Sequence, residues 1–298
     1  MNKNEDKGIG ILTKIIGGFY YVEVDDKLYE CKARGVFRKN NITPIVGDQV
    51  EITINQGAYS LIDRVLERRN LIVRPALANI DNLVIVSSAV APNVNLYLID
   101  KMIAAATVKD ITPIVVFSKS DLYSVEQYLD IYKKSGIKAI EFSSVDLRGI
   151  DDIRSLLKDK VTAFCGNSGV GKSTLLNSLF PELSLLTGET SQKLGRGKHT
   201  TRTVELFSKY GGYVADTPGF SSMDLERYEI IKKNDLQYAF SEFSDYIDKC
   251  RFNSCMHICE KGCAVLEAVN NGDIPKSRHD SYIRMYNEVK DIKDWQIK

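Results

Sequence analysis

The run GNSGVGKST at residues 166–174 restricts this 298-residue chain more than any other stretch. It fits G-x-x-x-x-G-K-[ST], with Gly166, Gly171, Lys172 and Ser173 at the fixed positions. That pattern works only between a buried strand and a helix, so it commits the residues around it to an α/β layer. Its glycines let the backbone curl until successive N–H groups point inward at phosphate oxygens. Lys172 then bridges the β- and γ-phosphates, the Ser173 hydroxyl binds Mg²⁺, and the helix starting there turns its positive end to the anion. The expected cradle comprises Gly166, Asn167, Ser168, Gly169, Val170, Gly171, Lys172, Ser173 and Thr174.

The flanks agree with this reading. VTAFC (161–165) reads as the strand running in, and residues 172–179 as the helix running out. Further strands are predicted at NLVIVSS (82–88), TPIVVFS (112–118) and IKAIEFS (137–143), alternating with helices over 96–108, 125–134 and 149–157. TVELF (203–207) and GYVAD (212–216) complete the set. Strands separated by helices predict a parallel sheet covered on both faces, with ligands at the carboxyl ends of its strands.

Before residue 68 the period is different. GILTKII, FYYVEVD, KLYECKA, QVEITI and SLIDRVL are short β-branched or aromatic runs separated by Gly17-Gly18, Asp25-Asp26, Pro44 with Gly47-Asp48, and Gln56-Gly57. Five short strands predict a small barrel, an OB-fold by preference, with an SH3-like barrel as the alternative. Residues 68–81 read as a connector. After about residue 225 the strand signal ends. Helices are expected over 234–247, 264–270 and 277–295, forming a small domain whose slight core a metal would staple. The expected division is 1–68, an RNA-binding barrel; 69–225, the nucleotide domain; and 226–298, the helical metal-binding domain.

A second nucleotide motif, SKSD at 118–121, precedes the phosphate loop. The Asp121 carboxylate can accept from both N1–H and N2–H₂ of guanine, a donor pair adenine lacks. Lys119 would lie across the base, with Ser118 and Ser120 completing the turn. The common GTPase form is N-K-x-D, and Ser118 in place of Asn removes an amide that normally ties loops together. Ser143 and Ser144, in SSVDLRGI after the next strand, stand where a guanine-O6 loop is expected. Base motif before phosphate loop is the reverse of the usual GTPase order, which predicts a circular permutation.

DTPG (216–219) follows the strand GYVA, placing Asp216 to hold Mg²⁺ through water and the Gly219 N–H to reach the γ-phosphate. Between it and the phosphate loop lies GRGKHTTR (195–202), where a switch belongs. Thr200 or Thr201 would sense Mg²⁺ and the γ-phosphate. Phe220 follows DTPG, where Ras-like proteins carry a water-orienting Gln, and it cannot polarise water. His199 is then the candidate to orient the nucleophile.

Four of the six cysteines fall between residues 250 and 263. Cys250, Cys255, His257 and Cys263 form C-x₄-C-x-H-x₅-C, a donor set suited to one structural, tetrahedral Zn²⁺ with no open position. Cys259 is expected to be a bystander.

With 40 basic and 39 acidic residues the net charge is +1, so no global charge points to nucleic acid. Locally, residues 31–47 carry Lys32, Arg34, Arg38 and Lys39 without an acid, and residues 191–204 carry Lys193, Arg196, Lys198 and Arg202 likewise. Either stretch suits a phosphate backbone. No apolar run approaches a membrane span and the N-terminus lacks a signal-peptide core, so a cytoplasmic protein without membrane contact is expected.

Taken together, the barrel, the linker RNLIVRP (69–75), SKSD before GNSGVGKST before DTPG, the HTT switch and CRFNSCMHICEKGCAV resemble the ribosome small subunit-dependent GTPase A family over nearly the whole chain. The resemblance implies a circularly permuted P-loop GTPase domain flanked by an OB-fold and a zinc domain. It implies GTP hydrolysis to GDP and phosphate, stimulated by the small ribosomal subunit, in that subunit's late maturation. It also implies rRNA contacts through the barrel and zinc domain, and a catalytic role for the switch histidine alongside Lys172. A monomer is expected. Two readings stay open on the residues alone. One is a GTP-gated RNA-binding module with negligible turnover; the other, weaker, is a P-loop kinase with a zinc lid.

Overall fold

The computed structural model describes residues 6–35, 37, 42–55, 59–183, 204–216 and 231–292. They fall into two compact units.

The first unit is Met1–Asn82, Leu157–Ala163 and Arg196–Phe220. Its barrel consists of β1 (Asp6–Ile16), β2 (Phe19–Val24), β3 (Lys27–Ala33), β4 (Gln49–Ile54) and β5 (Ser60–Val65). The hairpins turn at Gly17-Gly18 and Asp25-Asp26, all four residues with positive φ, as the two-residue turn matching strand twist requires. The barrel closes in the order β1-β2-β3-β5-β4, with β3 parallel to β5 and β1 antiparallel to β4. This is the OB order, which decides against the SH3-like alternative. Leu12, Val22, Cys31, Val50, Ile52 and Ile62 point inward and are fully buried. Burial pushes the Cys31 thiol up to about 12, with Glu30 adding to it, so it is inert packing.

The predicted connector contains a ribbon instead. β6 (Leu71–Ile72) pairs antiparallel with β7 (Leu77–Ala78). The Asn70 amide both donates to Ile80 O and accepts from Ile80 N, each at 2.8 Å, and Asn79 Nδ2 donates to Gly47 O at 2.9 Å. The expectation of a parallel sheet needs one correction. β12 (Glu205–Lys209) and β13 (Gly212–Asp216) are antiparallel, because only Tyr210 and Gly211, both at positive φ, join them. A two-residue turn makes a hairpin; a parallel pair needs a crossover.

The six-stranded sheet has the order β10-β9-β8-β11-β13-β12, with β8 at Asn82–Ser88, β9 at Thr112–Ser118, β10 at Lys138–Phe142 and β11 at Val161–Cys165. β10 runs parallel to β9, and β11 parallel to β13. All residues of β8 and β11 are buried, as strands covered on both faces must be.

The second unit is Leu83–Leu156, Phe164–Gly195 and Ser221–Lys298. Its first four helices are α1 (Leu96–Thr107), α2 (Glu126–Lys134), α3 (Ile150–Ser155) and α4 (Lys172–Leu179). The Asn95 side chain caps α1 by accepting from Leu98 N at 3.1 Å. Ile99, Met102, Ile103 and Ala106 are its buried stripe, at helical spacing.

No continuous helix spans residues 234–247. Three short 3₁₀ turns stand there, Leu236–Ala239, Ser241–Phe243 and Ile247–Lys249. Phe240 is extended (φ −110°, ψ 92°) and breaks any helix, which lets Phe240 and Phe243 both turn inward. Two helices follow, α5 (Ala264–Asn271) and α6 (Lys276–Val289). The core here is shared: Phe240, Phe243, Val265, Tyr282 and Met285 cluster with Ala104 of α1, and Tyr97 of α1 packs against them.

A buried charge cluster reinforces that joint. Arg278 of α6 donates to Asp100 of α1 at 2.8 Å and to Glu242 at 2.7 Å, and the Tyr132 hydroxyl of α2 donates to Asp100 at 3.1 Å. Arg278 and Asp100 are each 1% exposed. Among the described residues no helix is long and apolar enough to cross a membrane.

Candidate nucleotide site and metal centre

β11 delivers the chain into the phosphate loop, and α4 leaves it, capped by Gly171. A side chain at Gly166 would place its Cβ 2.6 Å from Val86 O, so the loop can lie against β8 only with glycine there. At Gly171 (φ +89°) a Cβ would meet Ser118 Oγ at 3.1 Å. Asn167, Lys172 and Ser173 are half-buried, Ser168 and Thr174 exposed, and Val170 buried.

Ser118 explains that close approach. Its hydroxyl lies against Val170 O of the phosphate loop in a short hydrogen bond, with Ser87 O 3.3 Å away. The expectation that losing Asn unties the loops is therefore corrected: the shorter Ser reaches because Gly171 lets the loop come to it. Lys119 adds a second tie. With φ +58°, it sends Nζ to donate to Gly169 O at 2.9 Å and to Ala91 O at 2.6 Å. Ser120 N bonds Phe142 O at 3.2 Å, and Asp121 is exposed at the turn's end.

Ser143, fully buried after β10, accepts from Val145 N at 3.2 Å, and Ser144 is exposed. This loop is pinned by Arg148, which donates to Asp146 at 2.8 Å and holds that carboxyl down at about 2. Asp216 ends β13. Gly219, Phe220 and the switch residues His199, Thr200 and Thr201 lie outside the described residues. Cys165 is buried beneath the phosphate loop; burial pushes its thiol up to about 12, so it offers no nucleophile.

In the C-terminal loop, Cys250, Cys255, His257 and Cys263 bring one donor atom each within 4.8 Å of one another. Sγ of Cys250 and Cys263 are 3.9 Å apart, and His257 Nδ1 is 3.6 Å and 3.4 Å from them. A tetrahedron of about 2.3 Å Zn–S bonds has edges of about 3.8 Å, so the donor set fits. Cys255 and Cys263 are buried thiols pushed up chiefly by burial, Cys255 to about 12. They need a cation to hold them as thiolates. Cys259 is exposed and outside the group.

The surroundings of this loop were invisible in the ligand spacing. Glu260 accepts from the backbone N–H groups of Met256, Ile258 and Cys259 at 2.8–3.0 Å. Tyr282 donates to Met256 O at 2.9 Å, and the His279 ring bonds His257 O at 2.7 Å. Cys263 also caps α5, its Sγ accepting from Leu266 N at 3.5 Å.

Comparison with known proteins matches residues 65–226 to the family model described as RsgA GTPase and residues 9–62 to the RsgA N-terminal domain. The chain is 44% identical over 286 residues to the small ribosomal subunit biogenesis GTPase RsgA of Caldanaerobacter subterraneus subsp. tengcongensis, covering 95% of this chain and 96% of that one. It is 43% identical to the protein of the same name from Geobacillus thermodenitrificans, covering 95% and 98%. Among solved structures it resembles YjeQ from Thermotoga maritima, with TM-score 0.84, 33% identity and coverage of 97% and 100%. It resembles YloQ, a circularly permuted GTPase, with TM-score 0.83, 34% identity and coverage of 98% of each chain.

Proposed function

The chain belongs to the RsgA GTPase family, and we propose that it hydrolyses GTP to GDP and phosphate while docked on the small ribosomal subunit, assisting that subunit's late maturation. The observation that carries the reading is the pair of ties from Ser118 and Lys119 to Val170 and Gly169, which fixes the base-reading turn against the phosphate cradle. In this reading the backbone of Gly166–Thr174 holds the phosphates and Lys172 their charge. Asp121 reads guanine, Lys119 flanks it, and Ser143 and Ser144 border its O6. Ser173 and Asp216 would hold Mg²⁺, which would supply positive charge at the phosphates. His199 orients the water, with Thr200, Thr201 and Gly219 at the γ-phosphate. One Zn²⁺ sits on Cys250, Cys255, His257 and Cys263.

The RNA-binding part of the proposal rests on two aromatic–cation clusters, one on the barrel and one on the metal loop. On the barrel, Lys32 Nζ lies 4.8 Å from the Phe19 ring centre and 4.3 Å from that of Tyr59. Phe19 begins β2 and Lys32 lies on β3, the strands on which OB-folds take oligonucleotides, and Tyr59 immediately precedes β5. On the metal loop, Arg251 lies 5.4 Å from the ring of Phe252, which is 49% exposed. The protein acts as a cytoplasmic monomer.

GTP turnover with and without small subunits tests the proposal directly. Stimulation is expected, and it should fade at high salt, because docking on a polyanion is largely ionic. His199→Ala should leave GTP affinity unchanged and lower stimulated turnover by about 10²-fold or more. Absence of stimulation in the unaltered protein would favour a GTP-gated RNA-binding module instead. Base choice has its own measurement. Asp121→Asn turns an acceptor into a donor facing guanine N–H groups and should cost about 2–4 kcal/mol of GTP binding. ATP competing as well as GTP against the unaltered protein would refute Asp121 as the base reader.

A further inference from the structure

His257 has two ring nitrogens, and the structure treats them differently. Nδ1 faces the thiols of Cys250 and Cys263, at 3.6 Å and 3.4 Å. Nε2 faces Gln237 Oε1 at 3.0 Å. The orientation of the Gln237 amide is itself determined, because its Nε2 donates to Asn234 O at 3.3 Å. Turning the amide over would bring its oxygen against that carbonyl. The acceptor end therefore faces the imidazole, which must answer with N–H at Nε2. A neutral ring protonated at Nε2 carries its lone pair on Nδ1. The backbone agrees with that presentation. His257 sits at φ +59°, a conformation unusual for a non-glycine residue, and its carbonyl is held by His279 at 2.7 Å.

We propose that Gln237 is a positioning residue of the metal centre: by accepting the Nε2 proton of His257 it fixes the tautomer in which Nδ1 is the nitrogen ligand. The inference rests on the reading of the Cys₃His group as a metal site. Gln237 lies twenty residues from His257, in the 3₁₀ turn Leu236–Ala239, outside any ligand spacing. It is half-buried, so replacing it does not open a core. Outer partners of metal-bound imidazoles commonly set affinity by about 10–100-fold.

The test uses the full chain, labelled with ¹⁵N at histidine and loaded with Zn²⁺ or ¹¹³Cd²⁺. Long-range ¹H–¹⁵N spectra should show His257 protonated at Nε2, with cadmium coupling on Nδ1. In a chelator competition, Gln237→Leu should hold Zn²⁺ about 10–100-fold more weakly. Gln237→Glu, which keeps an acceptor, should restore affinity to within a few-fold of the parent. Gln237→Lys, a donor only, should not. Cadmium coupling on Nε2, or unchanged Zn²⁺ affinity in folded Gln237→Leu, overturns the proposal while leaving the metal site standing. A folded parent protein that takes up neither metal overturns both.

Discussion

Replacing Arg278 by methionine should destabilise the protein by about 3–5 kcal/mol, measured by urea unfolding. Burial alone would weaken the hold of the Arg278 guanidinium on its proton, and Asp100 and Glu242 together more than reverse that. With the cation gone, the carboxylates of Asp100 and Glu242, both with almost no access to water, lose their counter-ion, and Asp100 keeps only hydroxyl partners such as Tyr132. Asp100 behaves differently. Burial raises its pKa, and the attraction of Arg278 with the hydrogen bonds offsets this only in part, so folding disfavours its ionised form. Asp100→Asn keeps an acceptor for both Tyr132 and Arg278 and should change stability by about 1 kcal/mol or less. An Arg278→Met protein as stable as the parent would show that the cluster does not clamp α1 to α6.

Cys263→Ser should lower Zn²⁺ affinity by more than about 100-fold, beyond the range expected of an outer partner. The substitution is clean because serine is itself a good helix cap, so the start of α5 is kept while the ligand is lost. The effect should not stop at the metal loop. Phe240, Phe243 and Tyr282 share a core with Ala104 and Tyr97 of α1. Hydrogen exchange in the altered protein should therefore rise in α1 as well as in α5 and α6. Protection lost only within residues 250–263 would count against the shared core. Zinc retained in Cys263→Ser but lost in Cys259→Ser would show the wrong fourth ligand.

Local chemistry announced most of the architecture. All five barrel strands stand where the β-rich runs and turn residues predict them, and so do the phosphate-loop helix and the sheet strands, except β12, which runs two residues later than expected. The β6–β7 ribbon was missed because two-residue strands have no measurable period. Residues 234–247 were read as one helix because their apolar positions fit helical spacing; the break at Phe240 depends on what packs against it. The Ser118 substitution looked like a loss because sequence shows the shorter side chain and not the approach that Gly171 permits. Gln237 and Arg278 carried no signal at all. Each acts on a partner 20 to 178 residues away, and neither belongs to a motif.

The span from Asp100 to Arg278 also sets an order of events in the cell. Asp100 and Tyr132 leave the ribosome well before the cation that neutralises their site has been translated. At about 5–20 residues per second, those 178 residues take about 10–40 s to appear. The barrel, complete by Val65, needs nothing downstream to close. The Asp100 face of α1 by contrast stays without its cation until Arg278 has been made. A nascent protein truncated before residue 278 should thus carry a finished barrel beside an unfinished nucleotide domain, a state on which chaperones would act.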